Sequence, residues 1–166
     1  IYRNFVMPVP INRTRYIRAV EIRPSNKRVV HHGRLMVDST NESSYQDSLD
    51  EEPGYDGMEG LESSASPSGH FIGWTPGRTP GMGEQETAWQ LDPGMDLVLQ
   101  LHMVPTGKPE PVQVRIGLYF TEKRPPIMPL ILNLFNKSID IPPGEANYPL
   151  KAQYRLPVDI EVYTVY

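Results

Sequence analysis

The stretch VQVRIGLYFT, from Val112 to Thr121, alternates apolar side chains with others along its whole length. Successive side chains of a β-strand point to opposite faces, so this alternation places the apolar side chains together on one face. The stretch therefore predicts a strand with one buried face, which is typical of antiparallel sheets. The apolar face consists of Val112, Val114, Ile116, Leu118 and Phe120.

Similar strand-like patterns recur along the chain, separated by turn residues. The 166 residues include 18 prolines and 13 glycines, and no segment has convincing amphipathic helical periodicity. Seven to nine short strands of this kind predict a single all-β domain, a sandwich or a barrel, over residues 1–166. The other predicted strands are Tyr16–Arg23, Arg28–Val37, Leu97–Val104, Tyr148–Leu156 and Val158–Tyr166.

Residues 38–69 differ in composition from the rest of the chain. Serine, aspartate, glutamate and glycine dominate this segment, and apolar residues are sparse. Such a composition predicts a long acidic insertion loop rather than packed structure. It is interpreted either as a solvated insertion or as a flap or interaction surface near a functional site.

The charges are divided unevenly between two blocks. Residues 1–34 hold eight basic residues and one acid, whereas nine acids and neither lysine nor arginine lie between Arg34 and Arg78. A basic segment can indicate nucleic-acid binding, but strand-like spacing and the lack of an aromatic stacking platform favour a solvated sheet face. We therefore expect no nucleic-acid partner, and the two blocks carry charges that attract each other.

The absence of cysteine excludes several kinds of chemistry. Disulfides, zinc–thiolate sites, iron–sulfur clusters and a cysteine nucleophile all require a residue that the chain lacks. No apolar run approaches the roughly 20 residues that a membrane-spanning helix needs. A metal site in this chain would have to use histidine, carboxylate or methionine ligands.

Three of the four histidines form a candidate metal site, His31, His32 and His102. In Leu97–Met103 the leucines define one strand face, so His102 points away from the apolar core, together with Gln100. Neighbouring histidines on a regular strand point to opposite faces, so His31 and His32 can share an ion only across a bulge.

Two alternatives remain open for the histidine pair. Gly33 makes a bulge inexpensive, and without a bulge one histidine of the pair faces the core and the other is a lone exposed residue. The fourth histidine, His70, is a candidate fourth ligand, a group that hydrogen-bonds to a ligand, or a turn histidine bonded to the backbone, and the last two are favoured. Gln100 is a candidate hydrogen-bond partner of a ligand.

The sequence resembles the N-terminal domain of the copper type II, ascorbate-dependent monooxygenases, the family of peptidylglycine α-hydroxylating monooxygenase and dopamine β-monooxygenase. The similarity rests on Val30–Gly33 (VHHG), Gly69–Gly77 (GHFIGWTPG) and Leu99–His102 (LQLH). The order and spacing of these motifs match from about residue 1 to residue 166. Their residues are most similar to those of bacterial, exported members of the family. The resemblance implies an antiparallel jelly-roll-type sandwich.

The same resemblance implies the metal and its ligands. It implies one copper ion, held by His31, His32 and His102, that takes electrons from ascorbate or a protein donor. In that family a second domain holds a second copper through a His-x-His pair and a methionine, and no His-x-His occurs here. The chain ends at Tyr166 within a strand-like alternation, which we interpret as the first half of a longer protein.

These implications define the expected function and its alternatives. The domain is expected to be exported to the periplasmic or extracellular side, to contain no catalytic residue of its own, and to act with a second copper domain or a cytochrome-like module. The alternative is a non-catalytic metal-binding or assembly module of a larger exported or membrane-associated redox complex. A carbohydrate-binding domain that uses Trp74, Trp89 and Tyr119 is a poorer interpretation. The lack of disulfides and the acidic insertion depart from the animal enzymes.

Overall fold

A computed structural model describes residues 1–58, 70–77, 87–127, 129, 132, 134 and 136–162, with the backbone alone for residues 70–72. The chain divides into two units, residues 1–131 and residues 132–166. The strands and the helix of the described residues all belong to the first unit.

The first unit is built from two antiparallel sheets. One has five strands in the order β4-β1-β7-β3-β5, and the other has three strands in the order β6-β2-β8. The described strands are β1 (Tyr2–Pro8), β2 (Arg15–Pro24), β3 (Val30–Asp38), β4 (Tyr55–Asp56), β5 (His70–Trp74), β6 (Trp89–Leu91), β7 (Asp96–Met103) and β8 (Val114–Thr121).

Both sheets contribute to one apolar core, which confirms the predicted all-β sandwich. The apolar face of β8 packs against this core as its alternation predicted. Burial of these side chains is the main favourable contribution to folding, at roughly 25 cal/mol for each Å² of apolar surface removed from water. The buried cluster is formed by Ile17, Val20, Ile22, Val30, Leu35, Val37, Trp74, Leu91, Leu97, Leu99 and Leu101.

The composition of residues 38–58 predicted a loop, and this part of the prediction was wrong. The segment contains a helix, α1 (Glu42–Leu49), followed by the short strand β4. The cause is the buried Asp38 carboxylate, which accepts hydrogen bonds from the backbone N–H groups of Ser43 and Thr40, each at 2.8 Å. It also accepts the hydroxyls of both residues. Asp38 thereby satisfies an N–H of the first helical turn, as a capping residue does. Residues 59–69 of the predicted loop lie outside the described residues.

The oppositely charged blocks of the sequence meet at Arg3. Its guanidinium lies 2.8 Å from the Asp50 carboxylate, and only 14% of the Arg3 side chain is exposed. Arg3 also donates to the backbone carbonyls of Glu52, Pro53 and Gly54. Residues 50–54 of the acidic segment are therefore anchored to β1.

The described residues of the second unit do not form the strands that their alternation predicted. Tyr148–Leu156 and Val158–Tyr166 were expected to form strands, but no strand occurs in the described residues 136–162. Apolar side chains such as Leu150 and Val158 are exposed, at 53% and 66%. Alternation alone does not form a strand, since the backbone hydrogen bonds of a sheet require a neighbour. Residues 163–166 lie outside the described residues.

In the part of the chain that the structure describes, no helix is long and apolar enough to cross a membrane. This result agrees with the prediction that the chain has no membrane span of that kind.

Candidate metal site

A β-bulge in β3 brings the adjacent histidines to one face of the sheet. Val30 pairs with Met103 and His32 pairs with His102, so His31 is an extra residue between two paired positions. Two residues then oppose one, which removes the strict alternation of a regular strand. The structure therefore has the bulge that a shared site requires, and the alternative with one histidine in the core does not hold.

Gly33 contributes space rather than an unusual backbone conformation. It is not among the described glycines with positive φ. A Cβ atom at Gly33 would lie 3.3 Å from Cδ2 of Leu101, a core residue on the neighbouring strand. The glycine after the histidine pair thus allows β3 and the Leu101 side chain to approach closely.

The three imidazoles converge closely enough for a shared ion. Nδ1 of His32 lies 3.0 Å from Nδ1 of His31 and 3.3 Å from Nδ1 of His102. Two nitrogens bound to one ion at about 2.0–2.1 Å in tetrahedral geometry lie about 3.3 Å apart. The potential ligand atoms of all three residues lie within 4.8 Å of one another. Small side-chain rotations are enough to close the set around an ion.

On the outer face of the five-stranded sheet, opposite the core, neighbouring strands place their side chains in rows. The row that contains His32 and His102 is the last one at its end of the sheet. The outermost row consists of Tyr2, His102 and His32, from β1, β7 and β3. The Tyr2 ring is stacked on the His102 imidazole, with centroids 4.2 Å apart and planes inclined by 2°. Sequence reasoning missed Tyr2, because residues 2–8 show no clear alternation and the pairing with His102 spans 100 residues of chain.

The surroundings favour the neutral form of two of the imidazoles. Desolvation, together with the charges of His102, His31 and Arg34, lowers the pKa of His32. Desolvation and the charge of His31 lower the pKa of His102. Since a metal binds the neutral imidazole, these shifts reduce the competition from protons.

Gln100 lies in the row next to that of His102, and its side chain binds residues 57–58, which lie over this face of the sheet. Its amide nitrogen donates to Oδ1 of Asn4 at 3.0 Å and to the carbonyls of Gly57 and Met58 at 3.2 and 3.3 Å. Asn4, in turn, donates to the carbonyls of Tyr55 and Gly57. The sequence placed Gln100 correctly on the face of His102, but this amide group binds Asn4 and the 57–58 backbone rather than an imidazole.

The predicted role of His70 as a hydrogen-bond partner of a ligand concerns a side chain outside the described part of the structure. Its backbone lies in β5, opposite Met36 of β3. Met36 is four positions from His32, which corresponds to about 13 Å along a strand.

The donor set fits a metal ion that accepts nitrogen ligands. Among the described residues, the group able to hold a metal contains three imidazoles and neither a carboxylate nor a thiolate. Imidazole suits copper, zinc, nickel and iron, whereas calcium and magnesium require oxygen ligands. His31 is exposed and the other two histidines are partly buried, so the site opens to solvent on one side.

No family model, no curated protein and no solved structure matches the chain. The geometry of the two sheets and of the histidine cluster defines the class of protein: an all-β sandwich domain with a candidate three-histidine metal site.

Proposed function

We propose that this chain is a copper-binding electron-transfer domain that holds one ion with His31, His32 and His102. The observation that carries the proposal is the bulge at His31, which places three imidazoles on one face with Nδ1 separations of 3.0 and 3.3 Å. A chance cluster on a regular strand would place only one residue of the His31–His32 pair beside His102.

Copper is favoured over other metals by the donor set. For a given nitrogen site, the affinity of divalent first-row metals rises to a maximum at copper. Copper bound to neutral imidazoles would supply one-electron transfer between Cu(I) and Cu(II). The histidines would hold the ion, and their attachment to two hydrogen-bonded strands would limit rearrangement of the ligands when the charge changes.

The wider function rests on the sequence resemblance to the copper monooxygenases. In this proposal the domain would take electrons singly from ascorbate or a protein donor and pass two of them to a second copper domain. There one atom of dioxygen would enter a C–H bond and the other, with two protons, would leave as water. The chain alone hydroxylates nothing, and its location is periplasmic or extracellular. A cytochrome-like module or further subunits of a redox complex are the proposed partners.

A second candidate function is that of a non-catalytic metal-binding or assembly module. It is favoured by the position of the three histidines on two adjacent strands, β3 and β7. An ion bound there would cross-link these strands without any redox change, and zinc accepts the same ligands.

Copper titration of the chain tests the metal site. We expect one copper ion per chain and nitrogen-only ligation in the electron paramagnetic resonance spectrum of the Cu(II) form. His102→Ala removes one of three ligands and should weaken binding by 10-fold or more. Gln46→Ala, at an exposed position of α1, is the control and should keep one ion per chain with unchanged affinity.

Two results would contradict the assignment. The metal-site proposal would be wrong if the chain does not bind copper stoichiometrically, or if the unaltered chain and His102→Ala bind copper with equal affinity. Preferential binding of zinc over copper, or a copper ion that ascorbate does not reduce, would support the non-catalytic module instead of the electron-transfer domain.

A further inference from the structure

The aromatic ring of Tyr2 touches two of the three histidines. It stacks in parallel on His102 and lies edge-on to His32, with a centroid distance of 6.0 Å and an interplanar angle of 66°. Offset-stacked and edge-to-face pairs with centroids 4.5–7 Å apart are the favourable arrangements of aromatic rings, and the parallel pair here is slightly closer. Tyr2 therefore contacts both His102 of β7 and His32 of β3.

The backbone of Tyr2 is held on both sides. It pairs with His102 on β7, and its carbonyl accepts a hydrogen bond of 3.5 Å from the N–H of Gly57. The two following residues are anchored to the same segment, Arg3 through Asp50 and the adjacent carbonyls, and Asn4 through Tyr55 and Gly57. The backbone that carries the Tyr2 ring is therefore connected to β7 on one side and to residues 50–57 on the other.

We propose that Tyr2 is a positioning residue of the histidine site, which fixes the plane of the His102 imidazole and so preorganises the metal ligands. The proposal rests on the proposed metal-binding function. A free imidazole rotates about two side-chain bonds, and ordering such a side chain on binding costs conformational entropy. A ring stacked against one face of His102 removes much of that rotation before a metal arrives. The phenol hydroxyl is not needed for this role.

The proposal also gives the acidic segment a function at the site. Arg3 and Asn4 connect residues 50–57 to β1, and β1 carries the ring that touches His102. Residues 50–57, which composition predicted as part of a loop, in this way help to hold the Tyr2 ring beside His102.

Variants of Tyr2 test the proposal by two independent measurements. In the metal-free protein, the stacked ring shifts the proton resonances of the His102 imidazole upfield. We expect this shift to be kept in Tyr2→Phe and lost in Tyr2→Ala and Tyr2→Leu. We expect the copper dissociation constant to rise about 10-fold in Tyr2→Ala and Tyr2→Leu and to stay near that of the chain in Tyr2→Phe, as for other residues that orient metal ligands.

Tyr45→Ala is the control, because Tyr45 is an exposed tyrosine of α1 at 62% exposure. It should change neither the imidazole resonances nor the affinity. Tyr2→Leu keeps apolar bulk at the position, so it remains informative if Tyr2→Ala does not fold. Unchanged copper affinity in Tyr2→Leu, or unchanged His102 resonances in the metal-free variant, overturns the proposal. A chain that binds no copper contradicts the proposed function, and the imidazole resonances then decide alone whether the stack exists in solution.

Discussion

At the scale of single residues, Asp38 shows how a buried carboxylate can organise the chain around it. Burial alone would raise its pKa, but the hydrogen bonds from Ser43 and Thr40 outweigh this effect and lower the pKa to about 2. Only 1% of the residue is exposed. Because the ionised form is the one that accepts these bonds, the helix that follows depends on the charge of Asp38.

The stability of the protein should therefore depend on Asp38 and on acid. The pKa in the folded protein, about 2, is below the ordinary value of 3.8. The ionised group stabilises the fold by about 2 kcal/mol above pH 4, and this contribution is lost as the pH falls towards 2. Asp38→Asn should lower the free energy of unfolding by about that amount at pH 7, measured by urea denaturation.

The difference in free energy of unfolding between the unaltered protein and Asp38→Asn should decrease when the urea denaturation is repeated from pH 4 downwards. Glu51→Gln, which changes an exposed acid, is the control and should stay within about 0.5 kcal/mol of the chain at pH 7. A difference that is constant over this pH range would contradict the role of the charge.

At the scale of strands, two buried side-chain amides hold residues 55–58 against the outer face of the five-stranded sheet. Asn4 of β1 and Gln100 of β7 are 1% and 5% exposed, and they lie opposite each other in the register of the two strands. Together they bind the backbone of residues 55–58. Such a network stabilises only while every member keeps its partner, because an unpaired buried polar group retains its desolvation cost.

Gln100→Leu should lower the free energy of unfolding by about 1–3 kcal/mol, since Oδ1 of Asn4 loses its donor in a buried place. Chemical denaturation measures the loss. Gln46→Leu, at an exposed position of α1, provides the comparison and should have an effect near zero. Equal stabilities of the two variants would show that the amide pair contributes nothing.

At the scale of the whole molecule, charge asymmetry along the sequence becomes a contact between distant parts of the first unit. The basic block of residues 1–34 and the acidic segment meet in the pair of Arg3 and Asp50, which are separated by 47 residues. The pair is partly buried and supported by three backbone carbonyls, unlike the pair of Arg13 and Glu122, where 69% and 79% of the side chains are exposed. Partly buried pairs with several hydrogen bonds contribute more than exposed ones.

Arg3→Ala should release the acidic segment from β1. We expect faster amide hydrogen exchange in residues 50–57 and a free energy of unfolding lower by about 1.5–3 kcal/mol, because a charged donor with several partners is lost. Arg13→Ala removes an exposed ion pair and should change stability by less than about 0.5 kcal/mol. Equal exchange rates in residues 50–57 of both variants would exclude this anchoring role.

Local patterns in the sequence were sufficient for the parts of the fold that local chemistry decides. Alternation in Val112–Thr121 and Leu97–Val104 predicted β8 and β7, because the two-residue period of a strand is a property of the backbone itself. The same period placed His102 and Gln100 on the face opposite the leucines. It failed in residues 148–162, where the pattern is present without the pairing that a strand requires.

The sequence by itself determined the all-β class, the identity of the three candidate ligands and the face that His102 occupies. The tertiary structure decided that His31 and His32 share that face, that Tyr2 stacks on His102, and that Asp38 begins a helix in an acidic segment. The physical reason is that a bulge and a cross-strand neighbour depend on hydrogen bonds between strands. The partners in those bonds are about 70 residues apart for His32 and His102, and 100 apart for Tyr2 and His102.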